Sequence, residues 1–335
     1  MTALQALRLP PQFLAVAAAA LVGAALVAVA GGDPLAAYGH MISGAFAVSA
    51  LPDTLAWATP LVGMALAMAL PLRAGFVNLG GDGQLVLGGF VAAITAIHLP
   101  AGPASAMVAL AAAGLAGASL AALSAIGETR LGVPMLISSL LSSYPTIGIV
   151  SYLVRFPLRD ETTGLPQTHL VPEASRLAQI MGPLSVGLLI IVALASAIFI
   201  YDRRSALGYE ARMRGLNPEF AAYGGVRLDR QTAGIAAVSG GIAGLVGAII
   251  VLGSQFRFID EALTTPSYTW SGLMAALLAG GEPIGAATAG FFFAALQTGG
   301  FAMQRETSVP RVLAGVMQSL VILFLALRGF AGRGR

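Results

Sequence analysis

Residues 73–85 read Arg-Ala-Gly-Phe-Val-Asn-Leu-Gly-Gly-Asp-Gly-Gln-Leu, a glycine-rich polar break between apolar runs at 54–71 and 83–98. Each run is close to the ~20 residues that carry a helix across a ~30 Å hydrocarbon core. The glycines around Asn78, Asp82 and Gln84 do not fit a regular lipid-facing helix. Broken backbone at membrane depth persists only where protein covers it or where it lines a cavity. An ionisable residue there is costly and is a functional candidate by default, which points to Asp82. A second reading makes the break a cytoplasmic loop in which Asp82 pairs with Arg73 or caps the next helix. Periodicity alone does not choose between them.

Apolar runs recur outward from this break, near 13–30, 54–71, 83–98, 104–126, 132–154, 184–201, 233–253, 270–281, 284–303 and 311–327. The pattern predicts an all-α polytopic membrane protein of about ten transmembrane helices, with the piece at 270–281 too short to cross alone. Composition agrees: 57% of the 335 residues are hydrophobic and 10% charged, against about 25% charged in soluble domains, and the mean hydropathy is +0.84. Forty-two glycines suit membrane helices, which associate by close backbone approach. The run from Phe13 to Ala30 is long for a signal-peptide core, and Gly31-Gly32-Asp33 is a poor cleavage context, so it is read as a first span. Spans two to five and seven to ten would start from opposite sides, as in an inverted repeat; no matching residues support this, so it is a topological suggestion.

Arginine placement sets orientation. With the N-terminus inside, inner segments hold Arg8, Arg73, Arg130, Arg203, Arg204, Arg212, Arg214, Arg227, Arg230, Arg328, Arg333 and Arg335, and outer ones hold Arg155, Arg159, Arg176, Arg257, Arg305 and Arg311. The two-to-one bias places both termini in the cytoplasm.

Every basic residue is Arg, and the chain has neither Lys nor Cys. A P-loop needs its Lys, a Schiff-base enzyme needs a Lys amine, and a structural zinc site normally draws on Cys or more His than three. The chain therefore cannot hydrolyse ATP by a Walker-type site. His40, His98 and His169 lack acidic partners at ligand spacing. The few carboxylates lie mostly in loops, with no pair placed for hydrolysis. A membrane enzyme is therefore disfavoured, and no cofactor is expected.

Two hydrophilic segments fall on opposite sides of a single transmembrane domain spanning 1–335. The outer one, 155–182, contains Pro157, Pro166 and Pro172 and reads as a capped surface loop or short helix. The inner one, 202–231, is the most charged. There Asn217 is a plausible N-cap, Pro218 stands at the first helical position, and Gly224 and Gly225 stop the helix about two turns later. Polar positions inside the spans are more ambiguous. Gln297, Gln304 and Gln318 on the last two spans, and Ser138, Ser139, Ser142, Ser143 and Tyr144 in the fifth, either bond between helices or line a pathway. Trp57 and Trp270 sit near outer ends and suit an aromatic belt.

Several motifs together resemble the transmembrane subunits of ATP-binding cassette importers, within the branched-chain/ribose-type superfamily and its nucleoside and simple-sugar permease group. Asn78-Leu-Gly-Gly-Asp-Gly-Gln84 resembles that group's Asn-Ile-Gly-x-Glu-Gly-Gln. Arg214-Gly-Leu-Asn-Pro-Glu-Phe-Ala-Ala-Tyr-Gly-Gly225 resembles its coupling segment. Ser239-Gly-Gly-Ile-Ala-Gly-Leu-Val-Gly-Ala248, Leu278-Ala-Gly-Gly-Glu-Pro-Ile-Gly285 and Ala295-Leu-Gln-Thr-Gly-Gly300 follow in order. The resemblance runs from about residue 50 to the C-terminus. Two departures stand out: Asp82 where Glu is usual, and Phe220 where Ala is more usual.

The resemblance implies a type II importer-like permease in a bacterial inner membrane. A cytoplasmic ATPase would grip Arg214, Gly215, Leu216, Asn217, Pro218, Ala222, Tyr223 and Gly224. A second permease, a distinct paralogue, would complete the pathway, and an extracytoplasmic binding protein or lipoprotein would deliver solute. Apart from the lipid bilayer no other partner is expected, and no nucleic acid. Asn78, Asp82, Gln84, Tyr144, Trp270 and Gln297 are the candidate pathway residues. Nucleosides, nucleobases or simple sugars suit a pathway of amides, hydroxyls and aromatic faces. A branched-chain amino-acid permease and an ion-coupled secondary transporter are the alternatives; the second would need a buried carboxylate or His relay.

Overall fold

The computed structural model describes residues 11–29, 31–307, 309, 310, 312, 313, 315, 316, 319 and 320. The expected last span at 311–327 falls mostly outside that set, as do Arg8, Arg311, Gln318, Arg328, Arg333, Arg335 and both termini.

Twelve helices are described: α1 (Pro11–Val29), α2 (Pro34–Phe46), α3 (Leu51–Arg73), α4 (Gly81–His98), α5 (Pro103–Leu131), α6 (Met135–Arg155), α7 (Gly187–Arg204), α8 (Ala206–Leu216), α9 (Pro218–Tyr223), α10 (Leu228–Ile250), α11 (Tyr268–Leu278) and α12 (Pro283–Glu306). Five are long and apolar enough to cross a membrane among the described residues: α3, α5, α6, α10 with its continuation to Gln255, and α12; α1 and α2, joined at a sharp bend, would add a sixth if together they make one span. The protein is an all-α polytopic membrane protein. Two of the other expected spans, α4 and α7, are helices that carry polar or charged residues at one end. α4 is 18 residues long and opens on Gly81, Asp82, Gly83 and Gln84, while the 18 residues of α7 include Asp202, Arg203 and Arg204.

The chain divides into two compact units, one of residues 1–57 and 292–335, the other of 58–291. In the first, Asp33 caps α2 by accepting from the Leu35 amide at 2.9 Å, with Pro34 at its start. The Tyr38 hydroxyl donates to the Ala20 carbonyl at 2.5 Å, and Trp57 and Phe301 lie with ring centroids 5.6 Å apart.

The second unit is built on α4, α5 and α10, and its packing follows from the missing side chains. A Cβ added to Gly88, Gly117, Gly240, Gly244 or Gly247 would overlap backbone of a neighbouring helix. Backbone therefore meets backbone, the approach that holds membrane helices together when lipid removes the hydrophobic drive. Between them lies a core of small residues, Ala92, Ala96, Ala109, Ala113 and Ala248 with Val171 and Leu252.

One end of this unit is closed by segment 156–186. It holds a 3-10 turn at Glu173–Ser175 and a small antiparallel pair of strands, β1 (Gln179–Met181) and β2 (Leu184–Ser185). The segment clips onto the loop after α10: the Thr168 amide donates to Phe258 O (2.9 Å) and the Val171 amide to Phe256 O (2.8 Å). Arg155 pairs with Asp260 at 2.6 Å and Glu261 at 3.2 Å. The expected loop or short helix is thus a strapped cap with a hairpin. A hydrogen bond from the Thr162 hydroxyl, with its amide, His169 and Arg257, holds the Asp160 carboxyl below the usual carboxylate range.

Candidate functional site

At the opposite end the predicted break is present. α3 stops at Arg73, Gly75 turns at φ +83°, and α4 starts at Gly81. Asn78 is fully buried in the gap and explains its shape. Its side-chain amide and that of Gln84 bond reciprocally, Asn78 Nδ2 to Gln84 Oε1 and Gln84 Nε2 to Asn78 Oδ1, both 3.1 Å. The same Nδ2 donates to Ser239 Oγ (3.1 Å) and Oδ1 accepts the Gly80 amide (3.0 Å). The Ser239 hydroxyl in turn donates a hydrogen bond to the Ala67 carbonyl at 2.8 Å, joining α3 and α10 to the break. From α6, Ser139 Oγ accepts the Leu79 amide at 2.9 Å and Ser143 Oγ the Gly83 amide at 2.6 Å. Buried amides and hydroxyls stay only where they are satisfied, and these replace the helical bonds that the break gives up.

Asp82 is the exception. One of its carboxylate oxygens and the Thr269 hydroxyl on α11 are buried without a hydrogen-bond partner among the described residues. Its pairing with Arg73, one of the two sequence readings, does not occur: Arg73 Nε is bound to Asp202 Oδ1 at 3.2 Å. Nor does Asp82 cap α4, whose N-cap Gly80 has no side chain to bond.

The short helix expected after Asn217 forms as α9. Asn217 Oδ1 accepts the Phe220 amide at 2.9 Å, and Gly225 at φ +91° ends the segment. Leu216, Phe220 and Tyr223 are exposed, with Tyr223 at 94%. Sequence reading missed α8, whose signal was Ser205 accepting the Gly208 amide as its N-cap. It also missed what α8 does. Gly215 lies against the end of α3, so an added Cβ would overlap the Arg73 carbonyl oxygen, and Gly75 sits on Gly215 in turn. Arg214 is buried with its guanidinium 4.8 Å from the Phe76 ring centroid. Burial draws its pKa down, while Glu128 and Asp229 act the other way. Asp202, 4% exposed, gathers Arg73, Arg203 (3.8 Å) and Arg212 (3.4 Å), and Arg212 also donates to its carbonyl. Glu282 accepts the Gly285 amide at 2.6 Å and meets Arg203 at 3.3 Å. The charged segment is therefore fastened to the break.

The remaining candidates lie elsewhere. Tyr144 is 65% exposed on α6 and Trp270 44% exposed on α11, although their neighbours Ser143 and Thr269 face the break. Gln297 is half-buried on α12 in the first unit. Among the described residues no cluster of His and acidic side chains could hold a metal ion.

Residues 50–326 match the family model described as branched-chain amino acid transport system / permease component. The chain is 34% identical to the glucose ABC transporter permease protein of Haloferax volcanii, over 97% of this chain and 88% of that one. It is 28% identical to a nucleoside ABC transporter permease of Lactococcus lactis (92% and 88% covered) and 27% identical to a guanosine ABC transporter permease of Bacillus subtilis (91% and 89%). No solved structure matches.

Proposed function

We propose that this chain, which belongs to the family of branched-chain amino acid transport system permease components, is the membrane subunit of an ATP-driven importer for simple sugars or nucleosides. The observation that carries the mechanism is the joint between α8 and the break. A push on the exposed face of α9 reaches Gly215 and Arg214, and from there Gly75 and Phe76, three and two residues before Asn78. ATP hydrolysis belongs to a separate subunit that docks on Asn217 to Tyr223, and the movement it produces opens or closes the polar gap. A solute hydroxyl or base edge supplies the partners that Asp82 and Thr269 lack, since an orphaned buried acceptor is costly until something bonds to it. Asp82, one methylene shorter than Glu, reaches a bulkier solute or one held by an intervening water.

Tyr144 and Trp270, open on this single chain, present ring faces where a second permease, a distinct paralogue, completes the pathway. A binding protein or lipoprotein delivers solute to the strapped cap. In this reading the chain crosses the membrane about ten times in two inverted sets, with both termini cytoplasmic. Neutral solutes are favoured over branched-chain amino acids because the gap offers amides and hydroxyls, and its one charge is an acid that repels a carboxylate.

The test is uptake by proteoliposomes holding the chain with its co-expressed ATPase and second permease. Labelled glucose or guanosine should accumulate only with ATP. Accumulation driven by an ion gradient, by the chain alone, would overturn the importer reading in favour of secondary transport.

A further inference from the structure

A cavity of about 490 Å³ opens between α3, α7, α8 and α10, within the ~300–1,000 Å³ of most small-molecule sites. It takes no part in the joint or the gap. Its wall is hydrocarbon: Leu70, Leu194, Ile198, Ile235, Val238 and Ile242 all contribute. On α10 the contributors Arg230 or Gln231, Gly234, Val238 and Ile242 follow one another at about one turn each, so the groove runs along the helix from a polar end to an apolar one. At the polar end stand Arg230, Tyr201 and Gln231. Arg230 is exposed and forms no ion pair among the described residues, while both side-chain polar atoms of Gln231 are buried and unpartnered. Arg204, one turn beyond Tyr201 on α7, is likewise exposed and without a carboxylate.

We infer that this groove binds one anionic phospholipid, its acyl chain along Ile198, Ile235 and Val238 and its headgroup phosphate at Arg230. The inference rests on the membrane-permease reading only for the side it faces, the leaflet of the coupling helix. A second protein chain is disfavoured by the charge pattern. A helix presenting an apolar face to this hydrocarbon groove would leave Arg230 and the Gln231 amide without partners, whereas a phosphodiester and glycerol esters accept from the guanidinium and from Gln231 Nε2, and a headgroup hydroxyl donates to Gln231 Oε1. Because the lipid touches Leu70 on α3 and Leu207 on α8, it bears on the two elements that the joint connects.

The full-length chain would be purified, exposed to phosphatidylglycerol or phosphatidylethanolamine, and examined by native mass spectrometry. One phosphatidylglycerol should remain per chain. Gly234→Leu should abolish retention by filling the groove, since a Cβ at Gly234 meets nothing within 4 Å and the fold has room for it. Arg230→Gln should weaken retention about fivefold, the order for one basic residue at an anionic leaflet, while Leu115→Trp on the exposed face of α5 should not change it. Equal retention in Gly234→Leu, or equal binding of both lipids, would overturn the inference. So would a Val238→Cys variant of this cysteine-free chain that forms a disulfide-linked dimer with itself instead of crosslinking a photoactivatable phosphatidylglycerol. Retention is read without transport, so its failure leaves the importer reading standing, and failed uptake by a lipid-retaining chain does the reverse.

Discussion

Replacing Gly215 with alanine sets two effects of known size against each other. In an ordinary helix the change stabilises, by up to about 1 kcal/mol, because glycine is the poorer helix former. Gly234 on α10 provides that baseline, since nothing lies within 4 Å of its added Cβ. At Gly215 the new methyl would overlap the Arg73 carbonyl oxygen and stand 3.1 Å from the Arg73 carbonyl carbon and 3.3 Å from the Gly75 nitrogen. All three are backbone atoms, which cannot rotate away as a flexible side chain would. Forced repacking of this kind costs roughly 1–3 kcal/mol, and the gain in helix propensity offsets up to about 1 kcal/mol of it. A net loss of ~1–2 kcal/mol is expected for Gly215→Ala and a gain of ~0.5–1 kcal/mol for Gly234→Ala. Thermal melts followed by fluorescence-detected size exclusion would order the variants: Gly234→Ala highest, then wild type, then Gly215→Ala. Uptake per ATP hydrolysed should fall in Gly215→Ala even where folded protein is recovered, because the methyl pries α8 from the break. A variant that melts with Gly234→Ala and transports with normal coupling would refute the joint.

Three further outcomes are expected. Asn78→Ala should cost ~1–3 kcal/mol by stranding the Gln84 amide, and the Asn78→Ala, Gln84→Ala double variant should melt above the sum of the single losses, since the two share one bond pair. Asp202→Asn should cost about 1–3 kcal/mol, below the ~3–5 kcal/mol of a fully buried pair, because solvent screens its arginines; a melt unaltered by the substitution would contradict the cluster. Asp160 has a lowered folded pKa, so its contribution is complete above the ordinary aspartate value of ~3.9 and drains as pH falls from there through the folded value. Hydrogen exchange of segment 156–186 should rise over that acidic window in the wild type and lose this dependence in Asp160→Asn.

Much of this was legible locally. The break at 73–85 announced itself by glycines and amides between apolar runs, and α9 by Asn217, Pro218 and Gly225, because caps and turns are set within a few residues. What escaped was long-range. Gly215 entered the sequence reading as part of the coupling segment, and only the packed chain shows it pressed on residue 73. Ser239 lay inside a glycine-rich motif that reads as packing, yet it anchors Asn78 from 161 positions away. Asp202 looked like one charge in a basic loop, and its three arginines come from α3, α7 and α8. Five of the apolar runs read from the sequence return among the described residues as helices long and apolar enough to cross, whereas α4 and α7 carry polar or charged residues at one end that apolar run length alone did not weigh.

The backbone of Arg73 is approached on both sides by glycines from two other places, its carbonyl by Gly215 from α8 and its nitrogen by Gly281 from the turn before α12, the latter at φ +76° with an added Cβ only 2.9 Å from that nitrogen. A contact made of peptide against peptide carries no chemical signature of a solute. On the coupling proposed above, solute preference and drive are separate modules, and grafting the gap of a permease with different cargo onto this joint should change the cargo while leaving ATPase docking unchanged.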